Sequence, residues 1–392
     1  MNGPGPALFT RRFFVMCAFT FTVFVSAFML FPTVPFRIVA VGGTNADAGL
    51  FLGFLTYASA LSAPITGGLA DSLGKRRMLI VCGLFLTAFA TAYGLTRGFR
   101  LPLLLAVFHG VFWSGLLSAS AAYMADIIPE SRRAEGIGYW GLSTIAAIAF
   151  APSLGLWLFG FGWGVMCAAC CALNLGMTAI AWSLPAGERG GRLRDARLLS
   201  RGLVEWRVLA LSLTLFLYSF GYGGIMSFAA LYADALGVTP RGVYFTALAA
   251  SIVLTRPFAG RLADRIGHLR VFVPSLVAIV AGLVLLARSS GRTSLVVSAL
   301  VFGAGFGTAY PVFAAHVMQR VPQHRRGAAF GSILAAFDTG IGTGSIATGM
   351  LVQRFGYGRA FACAAALAAL ALPYFAYASR RLRIPSEPSA TP

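Results

Sequence analysis

Gly67-Gly68-Leu69-Ala70-Asp71-Ser72-Leu73-Gly74-Lys75-Arg76-Arg77 closes one apolar run and opens a basic loop. The pattern returns 193 positions later as Gly260-Arg261-Leu262-Ala263-Asp264-Arg265-Ile266-Gly267-His268-Leu269-Arg270. A second landmark, Pro129-x-x-Arg132-Arg133, recurs as Pro322-x-x-Arg325-Arg326 at the same offset of 193. Two separate landmarks with one displacement mark a chain made of two copies of one half, each a little under 200 residues.

Composition places both copies in a membrane. Hydrophobic residues make up 58% of the 392 and charged residues 11%, against about 25% charged in a soluble domain. The net charge of +19 would suit a nucleic-acid binder, but the basic residues sit in alternate loops between apolar segments, so no nucleic acid is expected. All six cysteines fall inside apolar segments. Cys167-x-x-Cys170-Cys171 lacks the partner cluster or histidines of a zinc site, and reads as buried free thiols with no metal. The first segment, 13–31, follows Arg11-Arg12 and is longer than a signal-peptide core, so an uncleaved helix is expected.

Twelve apolar stretches are long enough to cross a bilayer, which needs about 20 residues. Their limits are 13–31, 47–69, 78–96, 101–126, 136–160, 162–184, 208–231, 241–262, 271–289, 293–319, 327–350 and 358–379. With both termini cytoplasmic, 22 of the 31 Lys and Arg fall on the inner side, eight on the outer, and Arg256 within a segment, as the positive-inside rule requires. The expected organisation is a tail over 1–12, a six-helix half over 13–184, a basic linker over 185–207, a second half over 208–379 and a tail over 380–392. The extreme ends are Pro-, Gly- and Ser-rich and expected to be disordered. The linker is either a short basic amphipathic helix on the inner leaflet or a solvated connection.

The Gly-x-Leu-Ala-Asp-x-x-Gly-Lys-Arg-Arg loop between the second and third segments resembles the signature of the major facilitator superfamily. The resemblance extends over nearly the whole chain through the duplicated loop, the segment count and the size. It implies an all-α polytopic fold of twelve transmembrane helices in two pseudo-symmetric halves, with a site at mid-membrane. It also implies roles for the motif residues. Asp71 would accept hydrogen bonds from the N-terminus of the eleventh helix and hold the cytoplasmic side shut, and Asp264 would act likewise on the fifth. Gly67, Gly74, Gly260 and Gly267 would permit the turn and close approach. Lys75, Arg76, Arg77, Arg265, Arg132, Arg133, Arg325 and Arg326 would complete the charge network, joined by Asp126 and Glu130. The second copy departs from the pattern, with His268 and Leu269 in place of Lys75 and Arg76, and its network should be weaker.

Ala151-Pro152-Ser153-Leu154-Gly155 resembles the Gly-Pro-x-x-Gly of antiporter members, with Ala151 in place of the first glycine. Pro152 and Gly155 either let the fifth helix bend during transport or form a kink of no directional meaning.

Asp338 is the most informative single residue, about 16 Å into the eleventh segment at 1.5 Å per residue. A carboxylate at that depth is costly and normally faces a partner or a wet cavity. It is a candidate for proton coupling or for a cationic substrate; the alternative is a structural carboxylate tied to Arg256 or to backbone. Arg256 is itself a candidate coupling or substrate residue, and either pairs with Asp338 or snorkels to the cytoplasmic surface. His109 and His316 are either proton carriers or helix–helix hydrogen bonders. Trp113, Tyr139, Tyr218, Tyr222, Tyr310 and Asn174 are candidate cavity residues, lying on helices that line the centre of such folds. The glycines at 221, 223, 224, 303, 305 and 307 permit close helix contact or bending.

There is no phosphate-binding Gly-x-x-x-x-Gly-Lys-Ser/Thr and no convergent nucleophile and base, so neither an ATPase, an enzyme nor a cofactor is expected. The expected partners are a small-molecule substrate, protons and the lipid bilayer, with the chain a monomer in a bacterial-type inner membrane. The leading expectation is proton-coupled export of a small apolar or amphiphilic compound. The runner-up is import of a nutrient or organic acid by a symporter or facilitator. A non-transporting sensor would be expected to carry a signalling domain, for which the tails are too short.

Overall fold

A computed structural model describes residues 7–185, 206–321 and 326–381; within these, the side chains of Asp71, Glu130, Arg133, Ala134, Asp264, Arg326, Ala328, Phe330, Arg380 and Arg381 lie outside the description. So do the reading of the linker as an amphipathic helix, the two tails, and Arg325. The described residues form helices throughout: α1 (Arg11–Ala40), α2 (Asn45–Leu73), α3 (Lys75–Leu95), α4 (Arg100–Ile127), α5 (Arg133–Phe159) and α6 (Trp163–Ser183). They are followed by α7 (Trp206–Ala235), α8 (Val243–Ile266), α9 (His268–Ala287), α10 (Arg292–Met318), α11 (Arg326–Ala369) and α12 (Ala371–Arg381).

Eleven stretches among the described residues are long and apolar enough to cross a membrane. The last, Gly331–Ser379, has 49 residues, or about 74 Å at 1.5 Å per residue, more than twice the ~30 Å of a hydrocarbon core. It cannot run straight. The helical conformation breaks at Gly356, with φ 81° and ψ 169°. A positive φ is open to glycine at no steric cost. The turn after α5 uses a glycine in the same way, Gly162, φ 121° and ψ 154°. The two motif glycines agree more closely still: Gly74 has φ 89° and ψ 133°, Gly267 φ 96° and ψ 141°. Each makes the sharp reversal between an even-numbered helix and its successor, so the duplicated sequence carries a duplicated backbone conformation.

The chain divides into two compact units, Met1–Gly42 with Tyr57–Leu198, and Gly43–Thr56 with Leu199–Pro392. In the first, α1 packs on α5 and α6, and α3 on α4 and α6. Gly155 is a packing residue here: a Cβ on it would lie 2.7 Å from Met29 Cα and O on α1. α5 runs unbroken past Pro152. Trp140 Nε1 donates to Thr20 Oγ1 at 2.7 Å across the same α1–α5 seam.

In the second unit, α7 packs most intimately on α11, and α10 on α8 and α9. The glycines explain how. A Cβ on Gly340 would lie 2.7 Å from Phe216 O, one on Gly344 2.6 Å from Phe220 C, and one on Gly223 2.7 Å from Ile341 C. Gly340-x-x-x-Gly344 is thus a small-residue seam that brings two backbones together. Gly224 meets Thr348, Gly221 meets Leu283 of α9, Gly303 and Gly307 face α8, and Gly305 faces α9. Close contact is the use made of all six glycines of α7 and α10. The opening half of α2 joins this unit by the same device. Gly49 faces Ser345, and a Cβ on Gly349 would sit 2.5 Å from Asn45 O. Ser345 Oγ donates to Gly49 O at 2.8 Å and accepts from Ser227 Oγ at 2.7 Å, tying α7, α11 and α2 into one chain of hydrogen bonds.

Candidate functional site

Asp338 lies near the middle of the 326–355 part of α11 and is half-buried. Among the described residues it has no hydrogen bond and no ion pair, and no salt bridge joins it to Arg256. The structural pairing weighed from sequence is therefore not made. Next to it in sequence, Phe337 joins a cluster of aromatic rings from three helices of the second unit. Phe337 packs 5.0 Å from Tyr310, 6.0 Å from Phe306 and 6.4 Å from Tyr218, centroid to centroid. Tyr222 stacks on Phe306 at 4.1 Å, and Phe302 on Phe306 at 5.5 Å.

The local reason for the cluster is helical spacing. Tyr218 and Tyr222 share one face of α7, as Phe302, Phe306 and Tyr310 share one face of α10, each pair four apart. Ser219 Oγ donates to Phe337 O at 2.9 Å, which fixes the register of α11 against α7 one residue from Asp338. The cluster carries three hydroxyls, those of Tyr218, Tyr222 and Tyr310. The Tyr218 hydroxyl is buried without a hydrogen-bond partner among the described residues. Tyr310 lies within electrostatic range of both Asp338 and Arg256. An unpaired carboxylate beside aromatic faces and hydroxyls can hold a proton, accept a cationic centre, or exchange one for the other.

Several other candidate residues are placed in helix packing. The His109 ring is buried, with Nδ1 3.1 Å from Tyr93 Oη, and stacks on Phe89 at 5.7 Å. Asn174 Nδ2 donates to Leu86 O at 3.1 Å, joining α6 to α3. Trp113 is buried edge-on to Phe24 at 5.5 Å. Tyr139 is exposed and packs 5.2 Å from Phe9. None of these four has the setting of the Asp338 cluster. His316 sits against Arg320, in the turn just past the end of α10, with the His268 ring 6.2 Å away.

Of the motif cations, Lys75 Nζ bonds Asp126 Oδ2 at 2.5 Å, as expected for Asp126. Arg76 Nη2 donates to Trp182 O at 2.5 Å, with its guanidinium over the Trp182 ring. A last-turn carbonyl of α6 thereby gains a charged donor. Arg132 grips Glu135 with two bonds of 2.8 Å and lies over Phe9. Arg77 and Arg265 are exposed. A Cβ on Gly67 or Gly260 would meet nothing within 4 Å. The carboxylates of Asp71 and Asp264, and the side chains of Arg133, Arg325 and Arg326, lie outside the described residues.

Sequence reasoning had missed Phe306 and Phe337 as members of the cluster, and Ser219 as its positioning residue. The available signal was the four-residue spacing of aromatics on α10, with Phe337 next to the one membrane carboxylate of that segment.

Known proteins share this architecture. The chain is 26% identical over 368 residues to the uncharacterized MFS-type transporter YhhS of Escherichia coli (strain K12), covering 90% of this chain and 89% of that protein. It is 23% identical over 363 residues to the uncharacterized MFS-type transporter MJ1560 of Methanocaldococcus jannaschii, covering 88% and 92%. Among solved structures, a bacterial homolog of the human lysosomal transporter Spinster superposes with a TM-score of 0.78 at 16% identity, over 94% of this chain and 96% of that one. The nucleoside transporter NupG gives 0.74 at 16%, over 95% and 100%, and a D-xylose-proton symporter 0.74 at 17%, over 93% and 96%. The model of the Major Facilitator Superfamily matches residues 16–254 and 211–391, and the chain belongs to that family.

Proposed function

We propose that this secondary transporter exports a small apolar or amphiphilic compound in exchange for protons, with Asp338 as the coupling group. The supporting observation is the setting of Asp338: half-buried, without a hydrogen-bond or ion-pair partner among the described residues, within electrostatic range of Tyr310, and next in sequence to Phe337, whose ring packs against Tyr218, Phe306 and Tyr310. An aromatic wall takes an apolar or amphiphilic body, and a carboxylate with no fixed partner is available to a proton or to a cationic substrate. In this reading the chain crosses a bacterial-type inner membrane twelve times as a monomer with both termini inside, the break at Gly356 separating the last two crossings. The loops around Asp71 and Asp264 gate the cytoplasmic side.

The test is proton movement in proteoliposomes read with an internal pH dye, for wild type and Asp338→Asn. Ethidium, chloramphenicol, uridine and D-xylose are added in turn. Expected is proton flux driven by an amphiphilic compound and lost in the variant at normal folding. Flux driven only by uridine or xylose, in the symport direction, would replace export with import. Transport unaffected by the substitution removes Asp338 from coupling.

A further inference from the structure

At the end of α3 opposite Lys75, a cavity of about 640 Å³ opens between the last turn of α3, the first turn of α4 and the end of α1. Val41, Ala92, Leu95 and Leu101 form apolar walls, and Arg97 and Arg100 also line it. Both arginines are exposed and make no ion pair among the described residues. A third cation backs the wall: Arg37 Nη2 donates to Thr96 O at 3.1 Å, and its Nε is buried without a partner.

Three guanidiniums at one end of a unit call for counter-charge, and this unit supplies none. Its acidic residues are Asp71, Asp126, Glu130, Glu135, Glu188 and Asp195, all in chain order at the opposite ends of these helices or beyond. Asp47, at the start of α2, belongs to the second unit, and its carboxylate accepts from Thr44 N at 2.8 Å and Thr44 Oγ1 at 2.7 Å. A matching anion has to come from outside this unit. Its nature follows from the apolar side of the cavity. Leu95 is 78% exposed, and Leu101, Leu104 and Phe108 form an exposed stripe down α4 at 51%, 57% and 51%. That stripe is a lipid-facing surface in a bilayer, and it runs into the cavity. A soluble anion has no use for it; a phospholipid fills both halves, with chains along the stripe and phosphate on the arginines.

We propose that this cavity binds the headgroup of an acidic phospholipid, its phosphate held by Arg97 and Arg100 with Arg37 behind them. Arginine suits phosphate through its planar pair of donors, and its stem reaches the headgroup level from an apolar wall.

The experiment is native mass spectrometry of the full chain in detergent, titrated with phosphatidylglycerol or phosphatidylcholine. Wild type is compared with Arg97→Gln/Arg100→Gln. A control, Arg288→Gln/Arg292→Gln, removes equal charge from the corresponding loop of the second repeat. Size-exclusion profiles and thermal melting confirm folding in each. The expected result is retention of phosphatidylglycerol over phosphatidylcholine, weakened about fivefold per arginine and on the order of 30-fold in the 97/100 variant, with the control unchanged. Millimolar inorganic phosphate should not displace the lipid. Equal loss in the control would reduce the effect to bulk charge, and displacement by inorganic phosphate would make the site one for a soluble anion; either overturns the proposal. So does equal retention of the two lipids by wild type.

Discussion

Gly344→Ala puts the packing of α11 to a direct test. A methyl group there would lie 2.6 Å from Phe220 C and 2.7 Å from Phe220 Cα, where ordinary contact begins at 3.4 Å. Both are backbone atoms, so no side chain can swing away. α7 and α11 must part by at least 0.8 Å, the difference between 2.6 and 3.4 Å, and by more to clear Phe220 O, which is nearer still. The same displacement would stretch the Ser219–Phe337 hydrogen bond from 2.9 Å to about 3.7 Å, outside hydrogen-bonding range. Overpacking of this kind costs about 1–3 kcal/mol, and the lost bond about 1 kcal/mol more. Opposing it is the better helix propensity of alanine, worth about 1 kcal/mol. The net expectation is destabilisation by about 1–3 kcal/mol. Gly331→Ala on the same helix supplies the reference, because a Cβ there meets nothing within 4 Å; it should gain about 0.5–1 kcal/mol. SDS titration and thermal melting in mild detergent read the difference. If Gly344→Ala proves as stable as wild type, the seam is looser than described and the account of how α11 is held is wrong.

Two further substitutions separate packing from function. Tyr93→Phe removes the partner of His109 Nδ1 and should cost about 1–3 kcal/mol, while transport per folded molecule stays at the wild-type level. A proton-coupling role for His109 would instead show as altered proton flux in the Asp338 assay. Arg76→Ala deletes the bond to Trp182 O and the contact with the indole ring, and should lower stability by about 1–3 kcal/mol. Arg76→Lys should recover only part of that loss, because an ammonium cannot reproduce the planar stacking. Full recovery by lysine in a melting experiment would show that charge alone is needed.

Much of the architecture was legible because its signals are local. The first ten apolar stretches correspond to α1–α10 within a few residues at most ends, since span length is set by bilayer thickness, whereas the last two fall in one continuous stretch, Gly331–Ser379. Among those ten, α1 departs most: it reaches Ala40 rather than 31, carried through Pro32 and Pro35. The glycine-led reversals at 74 and 267 were visible as repeated motif positions, and the gap between segments eleven and twelve contains the break at Gly356. What was not legible depends on partners far away in sequence. Nothing near Gly155 says that it abuts Met29 rather than bending α5, and nothing near Asn174 names Leu86 O as its acceptor. The grouping of Gly43–Thr56 with the second unit is likewise a long-range fact. Asp338 stood out because an acidic residue in an apolar run is rare. Its neighbours Phe306 and Phe337 did not, because phenylalanine in a membrane helix carries no signal of its own.

The glycine seam that joins α7 to α11 fixes a frame of reference inside the second unit. Backbones held this closely have no slack in which to slide, so Asp338 and Tyr218 stay at one separation whatever the surrounding helices do. Under the proposed coupling role of Asp338, its exposure to one compartment or the other would be decided by helices other than the α7–α11 pair. For spectroscopy this supplies a ruler: a label pair across the seam gives the invariant distance, against which displacement of every other helix can be measured.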